Sequence, residues 1–538
     1  MPKTVAELAE KFPLEVASNP GDANHRTHLA TAITGIASDN RDVEPGEMFA
    51  ALPGLQVHGA KFATDATTRG ATVILTDHEG AAISAATGVL PTVPVLVAKD
   101  VRKHFGPIAA HIYGFPAAQM RTFAITGTNG KTTTAYMLQY LLTALGLKTG
   151  LIGTVEMRSG DKVLPSKLTT PDAADLQAII ATMAEDNVQA LAMEVSSHAL
   201  ALHRVDGVVY SVAGFTNLSQ DHLDYHKTLA DYFAAKALLF NPDHAQRGVV
   251  LIDDGWARKL AQIANIPVTT VQTEYGDAPA NTADWVVSDV HPEAGGSAFT
   301  LSKNDGIEVI KTHTTLPGTF NVQNAALALV MVLESGVSVT DLTEALERAG
   351  GVNPIVPGRM ETINRGVVGE PLVIVDFAHN TEALREALGS LKDKHGTGKL
   401  VVLFGAAGER DQGKRPAMGE AAVAGADVVY LTDDDPHGED AAHIRNDVRV
   451  GIDAALAQAK AEGRAVEFHE IGERRDAIHA AIAAAAPGDT VLLAGRGHET
   501  IQQVGHEDRY LDDRIEARAA LKARAAGAAR MGDTGADS

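Results

Sequence analysis

Short apolar runs bounded by turn residues alternate along this chain with stretches whose apolar positions return at helical spacing, a pattern that predicts strands and helices in alternation. One run, Thr122 to Ile125, passes through a glycine turn into the amphipathic stretch Ala135 to Leu145. Strands are predicted next at Leu191 to Val195 and Val208 to Phe215, with helices at Thr134 to Leu145, Asp175 to Glu185 and Asn324 to Leu333. Strand and helix repeated in this way build a doubly wound parallel sheet, whose ligands sit beyond the carboxyl ends of the strands. Glu194 and Ser196 end one such strand and Thr216 and Asn217 the next, so all four are expected to face one crevice. Upstream, from Thr31 to about Pro116, strands such as Ala71 to Leu75 and Val93 to Val97 alternate with turns and predict a small α/β unit. Downstream, strands at Leu372 to Asp376, Leu400 to Phe404, Val428 to Leu431 and Thr490 to Leu493 predict a second, Rossmann-like parallel sheet.

Two stretches dense in Gly and Pro, Tyr113 to Pro116 and Gly350 to Arg359, punctuate this pattern. A chain of 538 residues is too long for one core, and the expected class is α/β with three domains, at 1–115, 116–355 and 356–538. The tail beyond Arg518 is rich in Ala, Gly and Asp, and its end is expected to fray.

Composition narrows the function. Asp plus Glu number 68 against 46 Lys plus Arg, a formal charge of -22, which argues against a nucleic-acid partner or an anionic membrane. Any phosphate site must therefore be locally basic. With no cysteine, disulfides, thiolate metal sites and cysteine nucleophiles are excluded, and a reducing compartment is permitted. No apolar run reaches the ~18 residues of a membrane span, and Lys3, Glu7, Glu10, Lys11 and Glu15 interrupt any signal segment. A cytoplasmic monomer without membrane insertion is expected.

The chemistry concentrates at Gly127-Thr128-Asn129-Gly130-Lys131-Thr132-Thr133. Its Gly-Lys-Thr ending is that of a phosphate loop, one spacer short between the glycines. Glycines let backbone N–H groups approach an anion at a helix N-terminus, whose dipole adds attraction. Lys131, expected on an exposed loop, would meet the β- and γ-phosphates of ATP, and the Thr132 hydroxyl would ligate Mg²⁺. This makes the central unit a P-loop ATPase domain; the plain alternative is a strand, a turn and a helix with a surface lysine. Glu194 places a carboxylate where it can hold the same Mg²⁺. The run Asp221-His222-Leu223-Asp224-Tyr225-His226 also admits a zinc reading. Lys236 lies on or beside the helical stripe of Phe233, Ala237 and Phe240, and by its residues alone reads as a lysine snorkelling to water.

The shortened loop resembles the ATP loop of the Mur ligase family, which includes folylpolyglutamate synthetase. Its members join an amino acid to a carboxylate through an acyl phosphate made from ATP. The resemblance implies ATP and Mg²⁺ as cofactors, Lys131, Glu194, His222 and Lys236 as the catalytic set, and Thr132, Glu194, His222 and Lys236 as metal ligands. It further implies that Lys236 is carbamylated by CO₂, so that an anion replaces the cation. Pro317 to Asn324 resembles the family's adenine segment and brings in Asn321 and Asn324. Arg359, Asp376 and His379 would reach ATP from the C-terminal side if the domains close.

Ser38 to Phe49 resembles the nucleotide-end motif of the members that add the third residue of the stem peptide, usually written D-S-R, with Asn40 here in place of serine. The resemblance implies that Ser38, Asn40, Leu55, Gln56 and Val57 touch the UDP end of the substrate. Thr169, Thr170, Ser196 and Arg204 match the positions that hold the D-Glu end of the muramyl dipeptide, while Leu202 stands where some relatives carry glutamine. Arg410, Asp434, Asp435, Pro436, His437, Gly495 and Glu499 match the amino-acid pocket, with Arg410 taking the α-carboxylate. Relatives that use meso-diaminopimelate typically read D-N-P-R where this chain has Asp434-Asp435-Pro436-His437. Losing a permanently charged arginine while gaining an anion favours a side chain that ends in an ammonium.

The implied substrates are UDP-N-acetylmuramoyl-L-alanyl-D-glutamate and a diamino acid, L-lysine first, with L-ornithine and meso-diaminopimelate as alternatives. A folylpolyglutamate synthetase-like ligase is disfavoured by the UDP-end motif. An ATPase that ligates nothing would leave Arg410 and Glu499 unexplained.

Overall fold

The computed structural model describes residues 2–17, 25–54, 56–89, 92–164, 168–276, 282–293, 296–364, 367, 369–392 and 398–533, without the side chains of Asp224 and 527–533. Its three large sheets follow one another along the chain. The first has five strands, in the order Leu14–Ala17, Val95–Ala98, Val73–Thr76, Met48–Ala50 and Ile36–Ala37. All pairs are parallel except the first. The strand expected from Val93 begins at Val95, since Pro94 has no N–H to give the ladder.

The central sheet has eleven strands. Its parallel middle runs Thr149–Ile152, Ala190–Glu194, Arg121–Thr126, Tyr210–Phe215, Ala245–Leu251, Val268–Gln272 and Trp285–Glu293. Antiparallel strands extend both sides. Helices cover both faces, so the middle strands are buried on each side and read as unbroken apolar runs. Phe123 and Ile125 point into one core with Leu138 and Leu327, and Ala124 points into the other with Ile180 and Met193, as the two-residue period of a strand requires. The helix expected from Asn324 starts earlier, at Thr319, after Gly318 in a positive-φ conformation.

The third sheet has six strands, and Leu372–Asp376, Leu400–Phe404 and Val428–Leu431 fall where the apolar runs predict. Beyond Arg518 the chain continues as a helix, Asp513–Asp533, and the end of the tail, 534–538, lies outside the described residues. Ala517, Ala520 and Leu521 pack on Ile478 and Ile482, and alanine is the strongest helix former. Among the described residues no helix is long and apolar enough to cross a membrane.

Candidate active site

A cleft of about 780 Å³ opens between the carboxyl ends of the central sheet and the third sheet. The phosphate-loop segment forms one wall. Gly127 (φ 149°) and Gly130 (φ 86°) carry the chain from strand to helix, and a Cβ on either would lie 1.8 Å from Thr216 Oγ1 or 2.4 Å from Asn324 Oδ1. Only glycine fits there. Thr216 and Asn217 do not line the cleft; they brace the loop, Thr216 Oγ1 donating to Asn129 O (2.6 Å) and Asn129 N donating to Asn217 Oδ1 (3.0 Å).

Lys131 is not on an exposed loop. It is the first residue of the helix Lys131–Ala144, half-buried, and its ammonium donates to Gly127 O (3.1 Å) and Thr128 O (2.8 Å). Burial lowers its pKa, with Glu194 and Asp221 pulling the other way. Thr132 Oγ1 donates to Glu194 Oε2 (2.9 Å). Glu194 is fully buried and also takes Thr154 N (2.8 Å) and Thr154 Oγ1 (3.1 Å). A hydroxyl and a fixed carboxylate converging in this way are hard oxygen donors of the kind Mg²⁺ takes, so the residues fit that ion.

Lys236 does not snorkel. It is 1% exposed, with Nζ 2.6 Å from Gly127 O and 4.4 Å from the Tyr232 ring centroid. Burial pushes its pKa well down, and Lys131 adds to the effect. An enclosed lysine that sheds its proton readily is a nucleophilic amine. His222 takes a left-handed conformation (φ 54°) and faces the cleft, where loss of water pulls its imidazole down to about 4 against the pull of Asp221. Asp221 itself, despite burial, is held down to about 2 by His222, His379 and Lys414. Among the described residues the zinc reading does not assemble, since His226 pairs with Ser197 Oγ (2.9 Å); the side chain of Asp224 lies outside them.

The third sheet closes onto this wall. Arg359 Nη2 donates to Thr132 Oγ1 (3.4 Å), while its guanidinium lies 4.1 Å over the Phe377 ring. Arg359 Nη1 is buried with no partner among the described residues, a donor on the wall of the cleft that an anion would satisfy. Asp376 accepts from Met360 N (2.7 Å) and Ala378 N (2.9 Å), and Asn380 Nδ2 donates to Asn129 Oδ1 (3.3 Å). Asn321 and Asn324 are buried and joined to each other (3.3 Å), with Asn321 Nδ2 also donating to Pro317 O (2.7 Å).

At the far end of the cleft, the carboxylates of Asp434, Asp435 and Glu499 each offer an oxygen within 4.8 Å of the others. Arg496, fully buried, donates to Asp435 Oδ1 (2.6 Å) and lies 3.9 Å from Asp434 and 3.8 Å from Glu499. Gln503 N adds a bond to Asp435 (3.0 Å). Asp435 is therefore an ion-paired acid, not the free anion its place in the motif suggests. The crowding instead raises Glu499 to about 8, first through burial and then through Asp434 and Asp435, and burial raises Asp434 as well. His437 is fixed through its backbone to Gln503 O (3.0 Å) and Gly505 N (2.6 Å). Arg410 stands exposed on the opposite loop and lines the same cleft.

Three family profiles match this chain in succession: "Mur ligase family, catalytic domain" over 32–113, "Mur ligase middle domain" over 125–332, and "Mur ligase, glutamate ligase domain" over 358–497. A UDP-N-acetylmuramoyl-L-alanyl-D-glutamate–2,6-diaminopimelate ligase of Streptomyces avermitilis is 43% identical over 498 residues, covering 91% of this chain and 92% of its own. The chain belongs to the Mur ligase family. A UDP-N-acetylmuramyl-tripeptide synthetase of Leifsonia xyli is 40% identical, covering 97% of this chain and 96% of its own. A solved UDP-N-acetylmuramoyl-L-alanyl-D-glutamate–2,6-diaminopimelate ligase superposes with a TM-score of 0.64 at 31% identity, covering 97% and 99% of the two chains. As a Mur ligase, the protein is an ATP-dependent ligase.

In this Mur ligase one cleft gathers the loop residues Thr128 to Thr133, Glu194, His222, Lys236, Asn321, Asn324, Arg359 and Asp376. Thr169, Thr170, Ser196, Arg204, Arg410, Asp434, Asp435, His437, Gly495 and Glu499 line it too. Arg204 Nη1 reaches Thr170 O (3.5 Å), and Leu202 lines the wall beside it. Pro436 does not line this cleft; its carbonyl packs on Gly408. The nucleotide-end residues lie apart: Asn40 Nδ2 donates to Asp65 (2.6 Å), Gln56 and Val57 are exposed, and Leu55 lies outside the described residues. Ser38 provides the link, its hydroxyl 3.5 Å from Asp172, next to Thr169 and Thr170.

Sequence reasoning assigned no role to Thr154, Arg496 or Gln503. Arg496 carried one signal, a cation between two glycines at the end of an apolar strand.

Proposed function

We propose that this Mur ligase adds a diamino acid, L-lysine, to the D-Glu of UDP-N-acetylmuramoyl-L-alanyl-D-glutamate during cytoplasmic synthesis of peptidoglycan precursors, acting as a monomer. The observation that carries this reading is the polarity of one continuous cleft: a phosphate loop backed by Lys131 and Arg359 at one end, and three carboxylates around one buried arginine at the other. The limits 1–115, 116–355 and 356–538 are proposed for its domains, since each encloses one of the three large sheets.

The γ-carboxylate of D-Glu attacks the γ-phosphorus of ATP, forming an acyl phosphate and releasing ADP. The amine of the incoming amino acid then attacks the acyl carbon, loses a proton and expels phosphate, leaving an amide. Lys131 and Arg359 face the charge that spreads over the transferring phosphoryl oxygens. Thr132, Glu194, His222 and carbamylated Lys236 would hold Mg²⁺, which when bound neutralises phosphate charge. The Lys236 amine would add CO₂ and lose a proton, and its burial favours the neutral form that reacts. Thr170, Ser196 and Arg204 would position D-Glu, with Ser38 and Asn40 toward the UDP end.

At the far end Arg410 would take the α-carboxylate. The acids outnumber Arg496, so the pocket suits a distal ammonium, and His437 supplies no fixed cation for a second carboxylate. The named relatives support meso-diaminopimelate as the second reading. ADP release by the purified protein, measured with the UDP-dipeptide and each of lysine, ornithine and meso-diaminopimelate, tests the reading. ADP formation should require the dipeptide and an amino acid together; ADP formed equally without the dipeptide would refute ligation.

A further inference from the structure

The loop that carries Arg410 follows the strand Leu400–Phe404, and the loop that carries Asp434, Asp435 and His437 follows Val428–Leu431. A buried cation ties them together. Arg415 is 0% exposed, and its Nη2 meets both carboxylate oxygens of Glu439 at 2.9 Å. Its Nη1 meets Asp447 (2.9 Å), and Nη2 also reaches Ala407 O (3.3 Å). Glu439 in turn accepts the backbone N–H of Glu409, the residue before Arg410, which is held in a left-handed conformation (φ 54°). Alongside this, Gly408 N donates to Asp435 O (2.8 Å), and a Cβ on Gly408 would lie 1.9 Å from Pro436 O. The two loops thus lie backbone against backbone with no slack.

We infer that Arg415 and Glu439 are positioning residues that gauge the length of the amino acid, by fixing the distance from Arg410 to the acid cluster. The inference rests on the proposed function, in which Arg410 holds the α-carboxylate and the acids hold the far end. Neither Arg415 nor Glu439 lines the cleft, so neither meets substrate. A planar guanidinium that meets Glu439 through Nη2 and Asp447 through Nη1 holds two carboxylates at fixed directions at once, which a lysine ammonium cannot reproduce. Ornithine is one methylene shorter than lysine or diaminopimelate. A fixed gauge penalises it; a loosened one does not.

The test is Arg415→Lys and Glu439→Gln in the full-length enzyme, with kcat and KM measured for lysine, meso-diaminopimelate and ornithine, KM for ATP, and Tm. KM for the preferred amino acid should rise about 10- to 100-fold, while KM for ATP stays put. The ratio of kcat/KM for the preferred long substrate over ornithine should fall toward one. A folded variant whose ratio is unchanged overturns the gauge, as does one in which all KM values rise together. A wild-type preference for diaminopimelate would refute the lysine reading instead, and the gauge is then read from diaminopimelate against ornithine.

Discussion

At the phosphate-loop end of the cleft sit two lysines, half-buried Lys131 and buried Lys236, whose pKa values burial lowers; at the other end sit two acids, buried Asp434 and partly exposed Glu499, whose pKa values burial raises. At each end the charged form is costly without a partner, so a ligand of opposite sign favours it. A protein of net charge -22 therefore still builds a basic pocket where one is needed. The proposed ligands follow this difference: a polyphosphate at the first and an ammonium at the second.

The strongest way to break this comparison is Lys131→Ala. Turnover should fall about 10³-fold or more, the scale of a lost preorganised charge at a phosphoryl group, with Tm close to wild type because the side chain bonds only its own loop. Near-normal kcat in a folded variant would remove the cationic end from the account. Lys236→Ala should be almost as severe, and short carboxylates such as acetate should restore part of the rate if a carbamate is what the site needs. Intact-mass measurement finding an unmodified lysine in active enzyme would count against that role.

Effects at the acidic end should be smaller and confined to the amino acid. Glu499 keeps its proton in the folded state up to about pH 8, so KM for lysine should fall as pH rises through that value and the carboxylate forms. Glu499→Gln should abolish this slope and, above about pH 8, raise KM about tenfold, by the loss of one charge-assisted hydrogen bond. Stability has the opposite sign. Between the ordinary value of 4.5 and about 8 the folded state binds the extra proton, so this group's contribution to stability is lost as pH rises across that window. A Tm profile flatter in Glu499→Gln than in wild type would bear this out. The double change Asp435→Asn with His437→Arg should shift preference toward diaminopimelate. The shift should be modest, since Arg496 already neutralises Asp435.

How much of this was legible in the sequence follows from what each feature depends on. Leu372–Asp376, Leu400–Phe404 and Val428–Leu431 could be read because a strand covered on both faces is written as an unbroken apolar run. The edge strand Glu467–Glu470 carries charge and has no such run, so nothing local marks it. The last helix, built on alanine, lacks the wide apolar stripe that identifies a helix. The phosphate loop could be read because glycine spacing and a Gly-Lys-Thr ending are local. The burial of Lys236 was not, because what covers it is Gly127, far off in the chain. The pairing of Asp435 with Arg496, 61 residues away, was hidden for the same reason. Sequence thus named many of the residues that line the cleft, but not the buried arginine that its acids share.

One competition experiment addresses the central claim most directly. Wild-type enzyme is given ATP, UDP-N-acetylmuramoyl-L-alanyl-D-glutamate and equal concentrations of L-lysine and meso-diaminopimelate, and the tripeptide products are separated by mass. An acidic pocket beyond a cationic phosphate loop predicts that the lysine product dominates. A product pool dominated by diaminopimelate would contradict it.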